Sequence, residues 1–390
     1  MSQPLCIMLV AAEASGDDRG AELMAALKRH LGRDEVRFVG LGGERMAAEG
    51  LSSPFDMSEL SILGLLEGLM AYRRVVRRAD EMAALARRER PDIAILIDSW
   101  GFTLRVAQRL KAQTPEMPVV KYVAPQVWAS RPGRAAVLAK TVDHLLSIHT
   151  FDAPFFEKVG LPTTFVGNST LSLDLSAADP AGLRRRLAIA PDAPVLIVLP
   201  GSRRSEIERV MPPFEDAVAL LKAARPDLQV IVPAAATVAD TVRARVAGWP
   251  HRAHVVEGEA DRHAAMKAAT VALACSGTVT TELALAGVPM VVGYRLGPVT
   301  YTILKRLIRT DYVTLFNIAA QEFVAPELIQ GACNGPALAR EVALRLDNAD
   351  LRQAQVAAQD AALDKMGRGG PDPSEAAALA VLKILGRSGA

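Results

Sequence analysis

The sequence predicts an α/β protein of two Rossmann-like, doubly wound domains, and three observations lead there. Short apolar runs alternate with longer helical patterns along most of the chain, as in parallel sheets covered by helices on both faces. The alternation runs twice, and a polar, proline-containing stretch from Ser172 to Pro194 separates the two series. At 390 residues the chain is also long for a single hydrophobic core.

Taken in order, Cys6–Val10, Val36–Val39, Ile93–Ile97, Val119–Val123, His144–Ser147 and Thr164–Val166 are the predicted strands of the first series. A break follows Asn168. Val195–Leu199, Gln229–Val232, His254–Val256, Val271–Ala274 and Met290–Gly293 form the second series. Helix-period segments such as Gly20–Leu31, Pro212–Ala224 and Thr280–Ala286 lie between strands. The expected domains are therefore 1–168 and 169–346. A helical tail, 347–390, is interrupted by Gly367–Pro371, and its last helix from about Ser374 to Leu385 packs back on a domain. Two such domains facing each other put a ligand crevice at the carboxyl ends of both sheets.

Composition narrows the function classes. Half the residues are apolar, 23% are charged and the net charge is +2, so nothing general attracts a polyanion and no nucleic-acid partner is expected. Cys6, Cys275 and Cys333 lie far apart without metal-ligand spacing and read as reduced packing residues of a cytosolic protein. The N-terminal apolar run lacks a preceding basic region and is too short for a signal peptide. No run reaches the roughly 20 apolar residues that a spanning helix needs.

The motifs fall where strands end. Val195–Leu199 stops at Pro200-Gly201-Ser202-Arg203 and resumes as a helix at Ser205-Glu206. Glycine allows a close backbone approach, and amides at a helix start together with the arginine fork suit phosphate. Ala274-Cys275-Ser276-Gly277-Thr278 repeats this logic, with Glu282 one turn into the next helix, where it can accept from a ribose. Two anion-ready turns in one domain suit a diphosphate. In the first domain, Glu13-Ala14-Ser15-Gly16-Asp17 is acidic where a dinucleotide fold would hold phosphate, which favours a hydroxyl-rich acceptor or helix capping. Asp98 ends the third strand, placed as a general base. Tyr122–Arg131 mixes aromatic and polar side chains as a sugar-binding wall does, or Trp128 belongs to the core. The apolar run Ile62–Met70 precedes Arg73, Arg74, Arg77 and Arg78, one basic helical face. That is either an interfacial patch for anionic lipid or a buried helix with a solvated end.

Glu13–Asp17, Gly40–Gly43 with Met46, Leu199–Arg203 with Glu206-Ile207, Ser276–Thr278 with Glu282, and Asn317 with Pro326-Glu327, in that order, resemble the lipid-A-disaccharide synthase family. The resemblance spans nearly the whole chain. It implies a GT-B, inverting hexosyltransferase that joins UDP-2,3-diacylglucosamine to 2,3-diacylglucosamine 1-phosphate, releasing UDP and the β-1,6 disaccharide of lipid A. It further implies that Gly201, Ser202, Arg203, Glu206, Ser276, Gly277, Thr278, Glu282 and Asn317 serve the UDP-sugar, that Asp98, Glu13 and Asp17 serve catalysis, and that no metal or other cofactor takes part. With acylated substrates, Ile62–Arg78 becomes an expected contact with the inner face of the bacterial inner membrane, making the protein cytoplasmic and peripheral; oligomeric state stays open. The chain departs from the family pattern at Ala12, at Trp100-Gly101-Phe102-Thr103 and at Asn168. Two alternatives remain at this point: a soluble epimerase-like enzyme acting on UDP-N-acetylglucosamine, and a UDP-sugar- or lipid-binding homologue without turnover.

Overall fold

Apolar runs without polar alternation become strands covered on both faces. A computed structural model describes residues 4–60, 65–298, 301–302, 305, 308 and 310–387, the side chains of 65–71 excepted. Its strands are β1 (Leu5–Val10), β2 (Val36–Leu41), β3 (Ile93–Ile97), β4 (Val119–Tyr122), β5 (His144–Ser147), β6 (Thr163–Phe165), β7 (Val195–Leu199), β8 (Gln229–Ala234), β9 (His254–Glu257), β10 (Val271–Cys275), β11 (Met290–Tyr294) and β12 (Glu327–Ile329). Every residue of β1, β3, β7 and β10 is buried.

The chain forms two compact units, Met1–Asn168 with Gly370–Ala390, and Ser169–Gly369. The first holds a sheet of order β2-β1-β3-β4-β5-β6 and the second a sheet of order β12-β11-β10-β7-β8-β9, each all-parallel. Each sheet carries a hydrophobic core on both faces, as helical crossovers require.

Three local expectations change. The helix after β7 starts at Arg204 and carries Pro212 and Pro213 inside it; Pro213 and its neighbours Met211 and Phe214 are buried, so tertiary packing outweighs the lost donors. The edge strand β12 is three residues long and has no apolar run to announce it. The tail is divided between the units. The helix Ala349–Lys365 packs in the second, with Gln355 and Gln359 donating to the Met290 and Val288 carbonyls. The helix Pro373–Ile384 lies on the helix Ala14–Leu31 of the first, where Arg29 and His30 hold Glu375.

Candidate active site

In a doubly wound sheet, ligands bind beyond the carboxyl ends of the strands, where the strand order reverses. That point lies between β1 and β3 in the first unit and between β7 and β10 in the second. The register sets Val10 against Leu96 and Leu199 against Ala274. The chain thus leaves each pair of strands side by side, bringing the Glu13–Asp17 turn next to Asp98 and Gly201–Arg203 next to Ser276–Thr278.

In the first unit Asp98 has φ +49° and Ser99 +40°, two successive left-handed residues of a kind that costs roughly 1–3 kcal/mol each and gathers at functional sites. The Asp98 side chain is 36% exposed, takes the Ser99 N–H on Oδ1 and has Arg19 3.9 Å from Oδ2. Glu13 stands exposed at the start of the adjoining helix and makes no side-chain cap bond. Asp17 is different. It is buried, and its carboxylate accepts from the Gly43, Arg45 and Met46 amides. It caps the helix Glu44–Ala48 and is a bracket between two turns, not an open carboxylate as the catalytic expectation had it. Gly43 is packed against it, since a Cβ there would lie 2.6 Å from Asp17 Oδ2.

Behind Asp98 the Lys121 ammonium is buried, donating to the Asp98 carbonyl and, at 2.9 Å, to Thr103 Oγ1. Burial brings it down to about 7, against the opposing attraction of the Asp98 and Glu13 charges. Farther along the same edge, Trp128 donates to Asp152 and packs edge-on to Phe151, which stacks on His149. The expected aromatic wall is therefore a half-buried cluster around an acid. Burial pushes the Asp152 carboxyl up to about 7 and, with Arg19 adding, the His149 ring down to about 4.

In the second unit Gly201 has φ +119°, and a Cβ there would meet Glu206 Oε2 at 2.6 Å. The turn that was expected to receive an anion is closed by its own carboxylate. Glu206 Oε2 accepts from the Ser202 and Arg203 amides, and Oε1 accepts from Arg203 Nη1. Glu206 is thus the buried half of a capping box, and the amides of this turn are occupied. Arg203 nevertheless remains 77% exposed. The helix Thr278–Leu285 has no side-chain cap at its start, so its amides remain open to an anion, with Ser276 half-buried and Gly277 and Thr278 exposed. The two turns share one electrostatic environment, since the Cys275 thiol feels the charges of both Glu206 and Arg203. Glu282 follows on this helix, 3.5 Å from Arg262, and Glu282 Oε2, Arg262 Nε and Thr281 Oγ1 are buried without hydrogen-bond partners. Asn317 is fully buried and exchanges both amide bonds with the Ala325 backbone. It ties the helix Leu315–Ala320 to the segment before β12, a scaffold position and not a ligand contact.

The basic segment is described in part. The apolar stretch Ile62–Met70 lies outside the described side chains, and residues 61–64 outside the described backbone. Arg73, Arg74 and Arg77 are exposed on the helix Leu65–Glu89. Arg78, expected on the same free face, instead binds Glu59 and Glu81 and covers the Phe55 ring. Among the described residues no helix is long and apolar enough to cross a membrane, and no His, Cys, Asp and Glu side chains gather as a metal site would.

Sequence reasoning missed Arg19, Lys121 and Arg262. Lys121 alone carried a signal, as a lysine within an otherwise apolar buried strand.

Comparison with known proteins follows the same lines. Residues 7–381 match a family model described as lipid-A-disaccharide synthetase. A lipid-A-disaccharide synthase of Rhodospirillum centenum is 44% identical over 383 residues, 98% of this chain and 95% of that protein. Another, of Paramagnetospirillum magneticum, is 43% identical and aligns over 98% of both. The fold matches the S. aureus MnaA–UDP co-structure with a TM-score of 0.63 at 14% identity, over 98% of this chain and 97% of that one. Two Rossmann-like units of GT-B type, ordered motifs at both strand-order reversals and end-to-end similarity to these synthases agree: the chain belongs to the lipid-A-disaccharide synthetase family of glycosyltransferases.

Proposed function

We propose that this protein transfers 2,3-diacylglucosamine from UDP to 2,3-diacylglucosamine 1-phosphate, forming the β-1,6-linked disaccharide 1-phosphate of lipid A and releasing UDP. The observation that carries this is the near-complete family match, 7–381, on a chain whose candidate residues collect at the two strand-order reversals. The acceptor hydroxyl attacks the anomeric carbon as UDP leaves from the opposite face, inverting it. Asp98, accessible and oriented by Ser99, takes the hydroxyl proton. Glu13 is a second exposed carboxylate on the neighbouring turn, and Asp17 holds that turn in place.

Charge developing on the diphosphate is met by the Arg203 guanidinium and the open amides at Ser276–Thr278. No metal takes part in this step as proposed. Glu282, ion-paired with Arg262 and next to Thr281, receives the ribose hydroxyls. Gly201, Ser202 and Glu206 shape the turn that presents Arg203, and Asn317 supports the wall behind it. Arg73, Arg74 and Arg77, with the apolar residues before them, hold the enzyme at the inner face of the inner membrane.

The test is an assay of the purified protein with both acylated substrates, with and without detergent micelles. Disaccharide 1-phosphate and UDP in equal amounts, formed faster with micelles, is the expected result. Epimerisation of UDP-N-acetylglucosamine without disaccharide, or UDP binding without any product, would replace the reading.

A further inference from the structure

The side chain of Lys121 has no role in the reaction as derived above, yet it occupies an unusual place. It projects from β4, a strand with every residue buried, into an apolar enclosure walled by Leu96, Leu104, Ala107, Leu138 and Val142. Among the described residues no carboxylate is hydrogen-bonded to it. Its partners are the Asp98 carbonyl and Thr103 Oγ1, and the Thr103 hydroxyl lies 2.8 Å from the Asp98 carbonyl and 2.9 Å from that of Ser99. Burying an ammonium with so few partners opposes folding. A methionine would fill the same space without that cost, so stability alone does not account for a lysine here.

The pieces that Lys121 and Thr103 hold are the two carbonyls of the left-handed pair Asp98-Ser99. A backbone in that conformation persists only when its surroundings over-determine it. Here the Asp98 N–H is fixed to the Tyr122 carbonyl, one residue beyond Lys121 on the same strand, so β4 grips Asp98 from both its amide and its carbonyl. With the main chain fixed inward, the carboxylate is left on the accessible side, beside Arg19 and the Glu13 turn.

We propose that Lys121, acting with Thr103, is a positioning residue that clamps the Asp98-Ser99 backbone and sets the Asp98 carboxylate for proton transfer. The inference rests on Asp98 being the base. The clamp also supplies a cation that attracts the Asp98 and Glu13 carboxylates, which face it from just after β3 and from the turn after β1, with Arg19 the other cation at that edge.

The experiment measures kcat, the KM for each substrate and the pH profile of kcat for wild type, Lys121→Met, Thr103→Val, Thr103→Ser and Asp98→Asn, with thermal melts of each. Lys121→Met is expected to melt at or above the wild-type temperature. Its kcat is expected to fall at least about tenfold, with the KM for UDP-diacylglucosamine within about twofold. The pH profile of its kcat is expected to change around neutrality, because the Lys121 ammonium, which burial brings down to about 7, no longer titrates behind the Asp98 backbone. Thr103→Val reproduces a smaller loss in kcat, and Thr103→Ser restores it. A folded Lys121→Met with unchanged kcat and pH profile, while Asp98→Asn is inactive, overturns the clamp and leaves the base assignment standing. Should Lys121→Met fail to fold, a Thr103→Val enzyme with wild-type kcat overturns it equally. An active Asp98→Asn instead overturns the base assignment, and the clamp with it.

Discussion

Asp152 shows how a single buried group couples this fold to pH. Its residue is 1% exposed, one carboxylate oxygen takes the Trp128 N–H at 3.0 Å, and the other has no hydrogen-bond partner among the described residues. Burial raises it to about 7 from 3.8. The folded chain therefore binds this proton more tightly than the unfolded chain does, so its effect on folding is neutral below the unfolded value. It becomes a penalty that grows as pH rises from the unfolded value to the folded one and levels off above it, at roughly a few kcal/mol. Asp152→Asn keeps an acceptor for Trp128 and removes the charge. We expect its melting temperature relative to wild type to climb between pH 5 and 8, as followed by circular dichroism; a constant difference would reject the assignment. His149 acts in the other direction: with its ring held down to about 4, it costs stability as pH falls from 6.5 toward 4. At this scale the sequence was legible in position: Asp98 and Arg203, read as lying just beyond strand ends, are there and accessible. It was not where two distant residues share a proton or a bond. Asp17, Glu206 and Asn317 are polar in the sequence, but only the folded chain shows their oxygens already occupied by backbone amides.

Elements were most legible where burial is complete on both faces. β3 and β7 run over the expected residues, because a continuous apolar run rich in Ile, Val and Leu has a central parallel strand as its natural home. The short edge strand β12 was not legible, since it lacks an apolar run, and neither was the continuation of the helix from Arg204 through Pro212 and Pro213, since prolines ordinarily end a helix. The arginines of the basic helix differ in environment along its length. Arg78 is held by Glu59 and Glu81 and stacks on Phe55, whereas Arg73 and Arg74 are exposed. Reversing both charges, Arg73→Glu with Arg74→Glu, is expected to weaken sedimentation with vesicles containing anionic lipid at least about tenfold at low salt, each arginine being worth about 1 kcal/mol near such a surface. Vesicle binding unchanged by the reversal would remove this helix from the proposed membrane contact. Arg78→Ala should instead lower the melting temperature.

For the whole molecule, the two units divide both the sheets and the tail. The helix Pro373–Ile384 belongs to the first unit, where Ala377, Ala378, Val381 and Leu382 are fully buried against the core. Leu382→Ala is therefore expected to cost about 2–5 kcal/mol and to lower one calorimetric transition, the one that saturating UDP does not raise, because the nucleotide is assigned to the unit Ser169–Gly369. A loss confined to the UDP-sensitive transition would contradict that division. By itself the sequence determined the α/β class, the doubling of the pattern, the break at Asn168 and the strand-end motifs. Periodicity and turn chemistry are local, so they survive without knowledge of the fold. Only the tertiary structure decided which strands adjoin at each reversal, that Glu206 closes the turn expected to bind an anion, and that a buried lysine grips the backbone of Asp98. These depend on groups distant in sequence whose hydrogen bonds, once water is excluded, must be made with each other.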